Sequence, residues 1–203
     1  MAVSGPRIIA IDGPSGIGKS SVLPLVQRCF ERFGQDVRIA VNNDVASLGA
    51  SIRQFANDPE LRYPLALTTA AARAFIAVTA QSCLTICDRG LLSTLVFQGA
   101  SGIPHEYLYA LNEPFLDSTT LVLLELPVEQ LALRRAARST VTTDWFKQNV
   151  SAEEECRLYA SAADFVVGKG RCVIRVTALG TAKDTAEAIA CNVRQAMAVE
   201  ATL

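Results

Sequence analysis

Short apolar runs alternate along this chain with longer stretches of helical spacing. Residues 7–12 (RIIAID) form a short apolar run rich in isoleucine, which reads as a strand buried on both faces. Residues 19–34 then place Val22, Leu25, Val26, Cys29, Phe30 and Phe33 on one helical face, and Gly34 ends it. Pro24 sits early in that helix, where a missing N–H costs least. Residues 37–41 predict a second strand that ends in polar Asn42, Asn43 and Asp44. Residues 46–55 predict a helix, with NDPE as a break, and residues 64–82 a long alanine-rich helix. LTICD, residues 84–88, is a third buried strand and residues 120–126 a fourth. Pro127 opens a helix with three arginines near its end. Residues 151–167 predict a further helix, and residues 172–177 the fifth strand. Ala186, Ile189, Val193 and Met197 mark the core stripe of the last helix.

Strands alternating with helices imply a parallel sheet with right-handed crossovers. The expected fold class is therefore α/β: a three-layer sandwich with a five-stranded parallel sheet and helices on both faces. No internal repeat, low-complexity tract or second boundary appears, so residues 1–203 read as one domain. The stretch near 134–150 is the least regular and reads as a mobile lid.

Composition narrows the partners. With 203 residues, 50% hydrophobic and 19% charged, the chain can bury a sizeable core. A net charge of -1 provides no whole-chain basic field for a long nucleic acid. No apolar run is long enough to span a bilayer, and neither a signal peptide nor an anchor is read. The six cysteines are scattered, most of them in apolar surroundings, and Cys83 and Cys87 flank a strand without metal-knuckle spacing. Six reduced structural thiols in a cytoplasmic protein are expected.

The chemistry begins at GPSGIGKS: Gly13, Pro14, Ser15, Gly16, Ile17, Gly18, Lys19 and Ser20, followed by Ser21. This satisfies G-x-x-x-x-G-K-[ST] directly after a buried strand and at the start of a helix. Glycines let the backbone wrap a phosphate chain, and the N–H groups of the helix start face the anion. Lys19 can reach the β- and γ-phosphates, and the Ser20 hydroxyl can ligate Mg²⁺. The bound nucleotide is therefore read as ATP, in a P-loop NTPase fold. Mg²⁺ usually needs a carboxylate as well; Asp88 at the end of LTICD is the candidate, its other reading being a helix cap. Ligands bind outside the carboxyl ends of such strands, where Asp12, Asp44, Asp88 and Glu125 are expected to gather.

The order of motifs resembles the thymidylate kinase family over nearly the whole chain. The phosphate loop is followed by AAR (71–73), then by DRGLLSTLVFQG (88–99), then by RRAAR (134–138). The resemblance implies that Arg89 meets the acceptor's phosphate, Arg73 reads a pyrimidine carbonyl, and Phe97 helps line the acceptor pocket. Gly16 falls where some members carry an arginine, so the catalytic arginine is expected from the lid: Arg138 first, Arg135 second. Members are often dimers, so a homodimer is among the partners that the resemblance implies.

Three positions depart from the family's pattern. Asn42, Asn43 and Asp44 stand where the second strand usually ends in an arginine-bearing motif. Thr69 stands at the position of a stacking phenylalanine, and Ser15 where an acidic or bulky residue is common. Two enzyme readings therefore stay open. In one, the acceptor is a pyrimidine nucleoside monophosphate. In the other, it is a hydroxyl of a nucleoside, modified base or small metabolite, with Asp44 as general base. The bland reading of Asp44 is a helix-capping turn. A non-catalytic nucleotide-binding module is the third reading, and the N-K-x-D guanine motif it would favour is absent. His105, the sole histidine, falls in a predicted exposed segment and is assigned no role.

Overall fold

The computed structural model describes residues 8–56, 58–80, 82–137, 146 and 149–200. Its sheet has the strands β1 (Ile8–Asp12), β2 (Val37–Val41), β3 (Leu84–Asp88), β4 (Thr119–Glu125) and β5 (Val173–Thr177). All pairings are parallel, in the order β2-β3-β1-β4-β5. The helices are α1 (Lys19–Glu31), α2 (Ala46–Phe55), α3 (Arg62–Thr79) and α4 (Leu91–Ala100). They continue with α5 (His105–Asn112), α6 (Val128–Ala136), α7 (Ala152–Gly168) and α8 (Ala182–Glu200).

Side chains alternate across a strand, so the apolar runs feed two cores. Ile9, Ile11, Ile86, Val122 and Leu124 face Val22, Val26 and Phe30 of α1 and Ile189 and Val193 of α8. Ile8, Ala10, Cys87, Leu121 and Leu123 face the other side, covered by α3, α4, α5 and α7 through residues such as Ile76, Leu95, Leu108 and Val166. The result is the expected P-loop sandwich. The chain leaves β1 through α1 to the β2 edge, returns to β3, and then crosses to β4 on the far side of β1. That reversal opens a crevice beyond the carboxyl ends of β1 and β3.

Three local readings need correction. The exposed segment expected around His105 is the first turn of α5, preceded by α4. His105 is half-buried; its Nε2 lies 3.1 Å from the Leu95 carbonyl and its ring meets Phe165 edge-on at 5.4 Å. Gly99 makes room for it, because a Cβ there would stand 2.7 Å from Nε2. Phe33 lies past the end of α1 and is exposed, with the Arg194 guanidinium 3.7 Å from its ring centre. Among the cysteines, all free, only Cys87 is buried, and Cys172 and Cys191 are exposed.

Candidate active site

The loop after β1 turns on glycines with positive φ, 95° at Gly16 and 109° at Gly18. Gly18, in left-handed conformation, immediately precedes α1 and so aims the helix start into the crevice. Lys19 is 8% exposed, and its Nζ donates to the carbonyls of Gly13 at 2.5 Å and Pro14 at 3.1 Å. Burial, and after it the nearby Arg89 cation, lower its pKa to about 7 against the pull of Asp88, Asp12 and Glu155. Ser20 and Ser21 are exposed at the same rim.

Behind the loop lies a chain of buried hydroxyls. Asp12 accepts from the N–H groups of Gly90 (2.8 Å) and Ser93 (3.0 Å), and from the Ser93 hydroxyl, all at Oδ1. A side chain from β1 thus caps α4, the role that sequence offers to Asp88. The Ser93 oxygen lies 2.8 Å from the hydroxyl of Tyr159, which is 1% exposed and whose pKa burial pushes up. Arg89 donates to the hydroxyls of Tyr159 (3.1 Å) and Ser93 (3.3 Å), with its guanidinium 4.9 Å from the centre of the Phe97 ring. Burial works against its charge, but Tyr159, Asp88, Asp12 and Glu155 together raise its pKa. Its backbone has φ 74°, the one non-glycine residue with positive φ among those described. Phe97 meets Phe146 edge-on at 4.6 Å.

Arg73 reaches into the same crevice from α3. Nη1 donates to Asn112 Oδ1 at 2.6 Å; Nη2 donates to the Gly90 carbonyl at 2.7 Å and to the Thr94 hydroxyl. Burial lowers its pKa to about 10, with Asp12 opposing. One turn away, the Thr69 hydroxyl donates to the Leu65 carbonyl at 2.8 Å and accepts from Gln98 Nε2 at 3.3 Å. A cavity of about 30 Å³ runs behind Arg73, Arg89 and Asn42 toward Leu121.

On the other side of the loop, Arg135 of α6 donates from Nε to the Ser15 carbonyl at 2.9 Å and from Nη2 to Glu155 Oε2. Glu155 of α7, 0% exposed, accepts at Oε1 from the Ser15 N–H (2.9 Å) and hydroxyl (3.2 Å). A Cβ on Gly16 would stand 2.9 Å from Arg135 Cγ. Arg134 is drawn to the backbone, donating to the Ile17 and Ala178 carbonyls at 2.9 Å each. Arg138 lies outside the described residues.

Against known families, the thymidylate kinase model matches residues 11–174. The chain belongs to the thymidylate kinase family. It is 28% identical over 147 residues to a probable thymidylate kinase of Pyrococcus abyssi, covering 66% of this chain and 72% of that one. It is 26% identical over 163 residues to the thymidylate kinase of Brachyspira hyodysenteriae (76% and 80%). To that of Chlamydia trachomatis it is 29% identical over 156 residues (69% and 75%).

Membership of the thymidylate kinase family implies ATP and usually Mg²⁺. Among the described residues no group of three or more His, Cys, Asp and Glu forms a metal cage. A phosphate-bound Mg²⁺ needs no cage, only one or two carboxylates beside phosphates and waters. Asp88 Oδ1 and Asp12 Oδ2 are buried without a partner and fit that demand. The other two expected carboxylates also lie at strand ends: Glu125, the last residue of β4, pairs with Arg175 at 2.9 Å, and Asp44 is exposed in the short turn after β2, Asn42–Asp44. Asp44 does not cap α2 either: the N-cap of that helix is Val45, with no side-chain cap among the described residues.

The structure thus brings Lys19, Arg89 and Asp88 together at the strand ends, with Phe97 against Arg89, and Arg73 and Thr69 alongside on α3, while Asp44 is exposed in the turn after β2. Sequence reasoning passed over Ser93, Tyr159, Asn112 and Glu155 as site residues. A signal for two of them exists: Glu155, Tyr159, Ala162 and Val166 share one buried stripe of α7, and an acid on such a stripe asks for a partner.

Proposed function

We propose that this protein is an ATP-dependent phosphotransferase that moves the γ-phosphoryl group of ATP to a pyrimidine nucleoside monophosphate, thymidylate. The observation that carries this reading is the environment of Arg89. It is a buried cation whose partners are two hydroxyls and an aromatic face, with no carboxylate bonded to it among the described residues. Such a guanidinium is set to receive an anion. A monophosphate brings one, already ionised, and needs no general base. A hydroxyl acceptor would instead need a general base, a part Asp44 would have to play from its exposed turn after β2.

The transfer is in line. Lys19 leaves the Gly13 and Pro14 carbonyls for the β- and γ-phosphates, and loop amides beyond Ser15 take the remaining oxygens. The Ser20 hydroxyl and the Asp88 carboxylate would hold Mg²⁺, which would supply neutralisation of the phosphate charge. Arg89 holds the acceptor's phosphate; Arg73 reads the base; Phe97 and Thr69 border it. Residues 1–203 act as one kinase unit; the lid expected near 134–150 lies mostly outside the described residues, and its first residues, 134–136, end α6. Arg135, already on the loop, takes the part of the lid arginine, with Arg138 as the alternative.

The protein works as a cytoplasmic homodimer. Tyr63, Leu67, Phe75 and Val78 form an exposed apolar stripe along α3 that a second copy would cover. Purified protein with ATP, Mg²⁺ and a panel of nucleosides and monophosphates tests the main reading. Turnover of thymidylate and not of thymidine is expected; turnover of nucleosides alone, or of no acceptor, overturns it.

A further inference from the structure

Two helices meet the phosphate loop at one residue, Ser15. Arg135 takes its carbonyl from α6, and Glu155 takes its N–H and hydroxyl from α7. The two side chains also bond each other. Ser15, Arg135 and Glu155 therefore form a closed ring of hydrogen bonds. A carboxylate with no solvent exposure is tolerated only when its charge and lone pairs are matched, and here one cation and two loop donors match them.

The ring fixes two edges of the Arg135 guanidinium, Nε and Nη2. The third, Nη1, has only the Val150 carbonyl at 3.4 Å, among the described residues. The side chain crosses the loop at Gly16, where the missing Cβ leaves its path open. Ser15 is also one of the positions where this chain departs from its family, which often carries an acid or bulky residue there. In this chain the carboxylate arrives at the same loop position from 140 residues away.

We propose that Glu155 is a positioning residue for phosphoryl transfer. It anchors Arg135 to the loop so that the Nη1 edge faces the transferred phosphate, and it occupies the Ser15 N–H so that the later loop amides address the nucleotide. This rests on the kinase reading above. Glu155 acts through Arg135, so the two are coupled, and the coupling concerns charge that develops in the transition state more than ground-state ATP binding.

The test is a double-mutant cycle of Glu155→Gln and Arg135→Ala, read as kcat, KM for ATP and acceptor-free ATP hydrolysis. Glu155→Gln is expected to lower kcat about tenfold with KM for ATP changed less than about threefold. Arg135→Ala is expected to cost on the order of 10²-fold or more in kcat. The double variant is expected to match Arg135→Ala within about twofold. Losses that multiply, an unchanged kcat in Glu155→Gln, or a loss confined to KM overturns the proposal. Should Glu155→Gln not fold, Arg135→Lys decides: it keeps the charge but cannot bond by two edges. It is expected near the Arg135→Ala level, and wild-type kcat in Arg135→Lys overturns the proposal. If the wild type turns over no acceptor, the kinase reading fails on its own, and the coupling is still read in ATP hydrolysis.

Discussion

On the face of the sheet covered by α1 and α8, Ile11, Val122 and Leu124 meet Val26, Phe30 and Ile189, and the packing is almost wholly hydrocarbon. On the opposite face, among equally buried leucines and alanines, lie Asp12, Ser93, Thr94, Gln98, Asn112 and Glu155. An unsatisfied buried polar atom costs about 1–3 kcal/mol. Asp12 Oδ2, Arg73 Nε and Gln98 Oε1 are such atoms on this second face, and Asp88 Oδ1 is another at the strand end. Burial of apolar area would favour two dry faces. One face stays dry and carries stability, while the other retains polar groups whose missing partners a ligand can supply.

Substitutions on either side of the sheet can break that division. The largest effect is expected at the rim between the faces. Lys19→Ala should lower kcat by on the order of 10²–10³-fold with the fold intact; wild-type turnover would end the phosphate-loop assignment. Lys19 also links the site to pH. Its folded pKa is about 7 and its unsupported value 10.5. Between those values the unfolded chain holds more protons, so the stability of the ligand-free protein should rise with pH across that window. Binding an anionic triphosphate at pH 8 should restore the proton. Calorimetry in two buffers of different ionisation enthalpy should show proton uptake that Lys19→Ala lacks.

Next in size, Phe30→Ala on the dry face should cost about 3–5 kcal/mol in urea unfolding while leaving KM for both substrates unchanged in the folded protein. Altered substrate KM values would mean that the two faces are not separable. On the wet face, Arg73→Ala should raise the acceptor's KM about tenfold or more and leave that of ATP nearly unchanged. An equal change in both would move Arg73 out of the acceptor's reach and into general support of the crevice. Smallest is Asp44→Asn, expected within about twofold of wild type with a monophosphate acceptor; a loss of ~10²–10⁴-fold would restore it as a base.

The dry face was the more legible of the two. Its helices announce themselves by Val22, Val26 and Phe30, or Ala186, Ile189 and Val193, at helical spacing. Two of the strands, β2 and β3, fall at their expected limits. Residues 91–112 were harder. LLSTLVFQG mixes β-branched residues with a glycine, and HEYLYALN is too short for a clear period. Both become helices through tertiary contacts, α4 being capped by Asp12 from another element. Glu155 hid for a different reason. It is the last of three consecutive glutamates in a first helical turn, where acids ordinarily complement the helix dipole in solvent. Local chemistry explains such a run completely, so only the register of Tyr159 and Ala162 behind it sets one glutamate apart.

Arg89 shows what a site of this kind demands of the chain that builds it. A left-handed backbone at φ 74° suits glycine or asparagine and disfavours a long side chain by about 1–2 kcal/mol. The conformation nonetheless lets the chain turn from β3 into α4 while the guanidinium swings back to Tyr159 and Ser93. A sequence optimised for folding alone would place a small residue at this turn. Selection on variants of this protein would therefore pull in opposite directions at position 89: a screen for thermal tolerance would enrich Gly or Asn there, and a screen for turnover would restore Arg.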